Sequence, residues 1–151
     1  MFHSAIASLA RYRLFQRAQK PRGAIDIILW WEARRIPYNL IVGSAGVISS
    51  ILILGTAFLT ERIVGEAIGL PDPPFFAIVA VIAYGVMANI CFTVGWIAEL
   101  VGRRVWGDRA EAFGEIAFTM GTIFSALLTL LPAALILSIG AYSILTREWK
   151  H

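Results

Sequence analysis

Histidine, cysteine and charge in general are scarce in this sequence, and each scarcity excludes something. The two histidines, His3 and His151, stand at opposite ends of the 151 residues. A His-ligated metal, a haem pair or a Ser-His-Asp arrangement therefore has nothing to assemble from within one chain. The single cysteine, Cys91, lies inside an apolar run, so neither an intrachain disulfide framework nor a cysteine metal site can form. The glycines lack the spacing of a Walker loop or a dinucleotide fingerprint. Only 15% of residues are charged, and none falls within residues 37–60, 75–98 or 116–146. A proton-relaying transporter normally needs an embedded carboxylate or histidine, so that class is disfavoured. The sequence thus predicts no enzyme: no catalytic residues, no metal ligands and no cofactor.

What the chain does contain is apolar. Hydrophobic residues make up 58% of it, and its mean hydropathy is +0.74. A soluble core of this size could not hide such long uninterrupted apolar runs, so lipid must stand in for water. The predicted class is all-α and integral to a membrane: three transmembrane helices preceded by an interfacial amphipathic helix. The first span, 37–60, is about 36 Å long at 1.5 Å per residue, against a hydrocarbon core of about 30 Å. Pro37 suits the first turn of that helix. The breaker run Pro71-Asp72-Pro73-Pro74 separates it from the second span, 75–98. The third run, 116–146, is about 46 Å if helical and must tilt, protrude or bend at Pro132. Splitting it would leave two halves too short to cross.

Residues 1–23 carry no acid and read as a basic cytoplasmic segment that touches anionic headgroups; an Arg-rich targeting segment has the same composition. Residues 147–151 form a short tail. Ten of the thirteen Lys and Arg residues precede the first span or lie between the second and third, and three lie on the other side. The positive-inside rule then places the N-terminus in the cytoplasm and the C-terminus outside, in the cell inner (plasma) membrane, with the mitochondrial inner membrane as the alternative. Topology accounts for the net charge of +3, and no nucleic-acid partner is implied.

Residues 24–36 mix Ile25, Ile27, Ile28, Leu29, Trp30 and Trp31 with Asp26, Glu32, Arg34 and Arg35. The pattern fits a short helix lying at the headgroups, where tryptophan places an apolar body and one polar N–H. Glu32 and Arg35 are spaced to pair. Trp30, Trp31, Glu32, Arg34, Arg35, Tyr38 and Asn39 are therefore interface anchors or contacts for a partner. Anchoring explains the tryptophans and arginines better than it explains Glu32 and Asn39. The run Trp30-Trp31-Glu32-x-Arg34-Arg35-x-x-Tyr38-Asn39-x-x-Val42-Gly43 resembles the opening of small bacterial multi-pass membrane proteins of uncharacterised activity. That resemblance implies a membrane fold and no activity.

Within the spans, small residues fall at three-four spacing: Ala88, Cys91 and Gly95 in the second, Gly114 and Gly121 toward the third, Gly43 and Gly46 in the first. Such stripes allow close helix approach. Asn89 is the most polar side chain deep in a span, with Thr93 one turn on. An amide in hydrocarbon needs a partner, which is either another helix or a pore. The acids Glu99, Asp108, Glu111 and Glu115 with Arg103, Arg104 and Arg109 fit paired charges on solvated helix ends. The function these features predict is helix association, as an oligomeric component or an accessory subunit of a membrane complex. A channel or small-solute transporter, lined by Asn89, Thr93, Ser49 and Thr56, is the alternative.

Overall fold

The computed structural model describes residues 23–65, 75–110 and 112–148. The basic segment 1–22, the greater part of the loop before the second helix, Glu111 and the last residues of the tail lie outside the described residues. Three long helices make up nearly all of what is described: α1 (Ala24–Val64), α2 (Phe75–Trp106) and α3 (Phe113–Glu148), with a single 3-10 turn (Gly107–Ala110) between the last two. All three are long and apolar enough to cross a membrane. In the most apolar stretch of each, only 17%, 11% and 11% of residues are buried, so these surfaces need lipid around them.

Helix ends follow local chemistry. Gly65 (φ +80) ends α1 in the left-handed conformation, its N–H bonding the Glu61 carbonyl at 2.9 Å. Gly107 (φ +56) ends α2 in the same way.

The first helix differs from expectation. Among the described residues no separate interfacial helix precedes it: residues 24–36 are its opening turns, and it passes through Pro37 without a break. The physical reason is packing on both sides of the proline. Trp31 before it and Tyr38 after it are both buried on one face, whereas an in-plane helix would leave one side of this segment to the headgroups. The opposite side is not uniformly polar either, since Ile25, Leu29 and Ile36 are exposed there. At 41 residues α1 is about 62 Å long, twice the hydrocarbon thickness, so part of it projects beyond the core. The second helix likewise continues past residue 98 to Trp106, and the third runs through Pro132.

The chain divides into two compact units. One comprises residues 41–82 and 126–151. There Ala45, Ser49, Thr60 and Ala133 are buried, and Gly46 faces the Thr129 methyl group at van der Waals distance. The other comprises residues 1–40 and 83–125 and, among the described residues, holds the buried aromatic side chains and the buried Glu99.

Candidate functional site

The second of these units is built around Glu99. Its side chain is 0% exposed, and its carboxylate accepts hydrogen bonds from Trp31 Nε1 (2.8 Å) and Arg103 Nε (2.9 Å). Arg103 follows one turn later on α2, where the i,i+4 spacing puts both on one face. Trp31 comes from α1, and Gly114 of α3 presses its bare backbone against the carboxylate where a Cβ would collide with it. One acid thus touches all three helices. The sequence placed Glu99 on a solvated helix end; the pairing with Arg103 forms, but the site is closed to solvent because α2 continues past it and α3 packs on top.

Around this carboxylate lies an aromatic cluster. Trp31 meets Trp30, Phe92 and Phe118 edge to face at centroid distances of 5.6, 5.3 and 5.8 Å. Such edge-on pairs contribute about 0.5–1.5 kcal/mol each beyond area burial. Gly95 lets the Trp31 ring lie against the α2 backbone. Trp30 is the outer member of the cluster, with the Arg34 guanidinium stacked 4.0 Å from its ring centroid.

A second set of polar groups lies toward the surface between α1 and α2. Arg35 grips Glu32 with two hydrogen bonds, from Nε (2.8 Å) and Nη2 (2.7 Å). The same guanidinium donates to Thr93 Oγ1 (3.1 Å) and Asn89 Oδ1 (3.4 Å). Asn39 and Asn89 exchange amide hydrogen bonds, 3.2 Å one way and 3.0 Å the other. Deeper in, the Tyr38 hydroxyl is 2.9 Å from Ser125 Oγ and donates to the Ala88 carbonyl at 3.4 Å. Tyr38→Phe keeps the ring and removes these bonds; the expected loss is about 1 kcal/mol of stability. A detergent-denaturation midpoint identical to wild type would refute a role for the hydroxyl.

The residues singled out from the sequence fall into distinct positions. Trp31, Tyr38, Glu32, Arg35 and Asn39 meet partners within this unit, and so do Asn89 and Thr93. Of the small residues, Ala88, Gly95 and Gly114 are packed, while Cys91 is exposed and Gly43 and Gly121 have nothing within 4 Å of where a Cβ would stand. Among the other proposed pore-lining residues, Ser49 is buried and the Thr56 hydroxyl donates to the Leu52 carbonyl at 2.7 Å. Phe92, Phe118 and the burial of Glu99 were missed, because an aromatic in an apolar run looks the same whether it faces lipid or protein.

No family model, curated protein or solved structure matches this chain. Its chemistry must therefore be read from its own side chains. A groove of about 130 Å³ opens over Trp31, Tyr38, Phe92 and Phe118, with Cys91 and Gly121 among its lining residues. It is well below the 300–1,000 Å³ of a small-molecule site and close to the volume of one aromatic ring.

Proposed function

We propose that this chain is a small integral membrane protein that acts by helix association rather than by catalysis, as an oligomeric component or an accessory subunit of a larger membrane complex. Its N-terminus is cytoplasmic in this reading, with the basic segment against anionic headgroups. One observation carries the proposal: most polar side chains of the aromatic unit bond one another across helices, instead of converging on an open site. The hydrogen bonds among Trp31, Glu99, Arg103, Glu32, Arg35, Thr93, Asn39 and Asn89 make a rigid surface rather than a reaction chamber. The same bonds favour association over the channel alternative, since Asn89 and Thr93 already hold α1 against α2.

Crosslinking through the native Cys91 in intact membranes, with a pull-down in mild detergent, tests the reading. Products larger than the monomer, or a co-purifying membrane protein, are expected. Monomer alone in both assays would reject it.

A further inference from the structure

The exposed polar face between α1 and α2 has a definite valence. Asn89 is saturated: its two N–H groups reach Asn39 Oδ1 and the Gly85 carbonyl, and its oxygen accepts from Arg35 and Asn39. Four of the five Arg35 N–H groups are likewise engaged by Glu32, Thr93 and Asn89. Asn39 is half-engaged and exposed, with one N–H and one carbonyl lone pair uncommitted among the described residues.

Resting on the association reading above, we propose that this face is a two-fold contact surface whose occupant is a second copy of the chain. Charge complementarity selects that occupant. The face carries one acid and one base, already matched bidentately, so it has no net charge with which to hold a lipid phosphate or an acidic partner. A surface of balanced charge with one donor and one acceptor left on the same amide is complementary to itself, as an isologous interface requires. Asn39 can exchange two hydrogen bonds with Asn39 of the second copy. Gly85, one turn from Asn89, has nothing within 4 Å of its Cβ position and permits close approach. Left against lipid, the uncommitted amide groups would be unsatisfied.

Ile36 and Val86 flank the face and are exposed, whereas Met120 is exposed on α3, which contributes no residue to the face. The full-length chain carrying Cys91→Ala with a single cysteine at Ile36, Val86 or Met120 is reconstituted in liposomes and treated with a short bis-maleimide. Dimers are expected through positions 36 and 86 and not through 120. Asn39→Leu should raise the dimer dissociation constant about tenfold, the scale of interhelical amide bonds in membranes. Dimers formed through 120 but not through 36 or 86 would overturn the surface while leaving association standing. Monomer at all three positions would overturn the second copy as occupant; whether association falls too is then decided by the pull-down.

Discussion

Glu99→Ala is expected to destabilise the chain by roughly 3–5 kcal/mol, while Glu99→Gln should cost roughly 1–2 kcal/mol. Removing the carboxylate leaves the Trp31 N–H, on a ring only 2% exposed, without its acceptor. It also removes the ion pair that Glu99 makes with the Arg103 guanidinium, whose side chain is 18% exposed. The long arginine stem allows some retreat toward water, which keeps the loss from being larger. Glutamine retains an oxygen for Trp31 but turns its NH2 toward the Arg103 Nε–H, giving up that bond along with the charge. Both changes can be read from denaturation midpoints in mixed detergent micelles, followed by tryptophan fluorescence. A solvated carboxylate at a helix end would give shifts within about 0.5 kcal/mol for either variant, and that outcome would refute the buried clamp.

The contrast between Glu99 and Asn89 shows where sequence reading stopped. The three apolar runs identified all three helices, because a charge-free stretch of twenty or more residues has few other physical outcomes. Asn89 could be assigned a helical partner on the same logic, since an amide in hydrocarbon must find one. Glu99 lay one residue beyond the apolar run, where solvent and protein are equally good hosts for a carboxylate that has an arginine at i+4. Its burial depends on α2 continuing to Trp106 and on Gly114 arriving from a segment fifteen residues away. Pro37 misled in a similar way. Local chemistry makes a proline a natural helix start, but the shared packing of Trp31 and Tyr38 on one face favours an unbroken helix. The tryptophans expected to share one interfacial role divide: Trp31 sits inside the cluster, and Trp30 lies at its edge under Arg34.

Glycine substitutions should separate packed from open positions by the sign of their effect. At Gly95 a methyl group would lie 2.7 Å from Trp31 Cη2 and 2.9 Å from Cζ3. The ring cannot retreat easily, being held edge-on by Phe92 and Phe118 and tied to Glu99 through Nε1. Gly95→Ala is therefore expected to cost about 1–3 kcal/mol, and Gly95→Val more. Gly114→Ala should cost a similar amount, because its Cβ would drive the Glu99 carboxylate away from Trp31. Gly121→Ala and Gly43→Ala meet open space, and alanine's better helix propensity should make them neutral or stabilising by up to about 1 kcal/mol. Trp31→Phe supplies the internal check. It removes the ring atoms that collide with a Cβ at position 95, so Gly95→Ala should cost less in that background, with a coupling of at least about 0.5 kcal/mol. Additive losses would mean that the backbone, not the indole, sets the requirement for glycine. If all four glycines responded alike, helix propensity would govern these positions and the contact between Trp31 and Gly95 would carry no special weight.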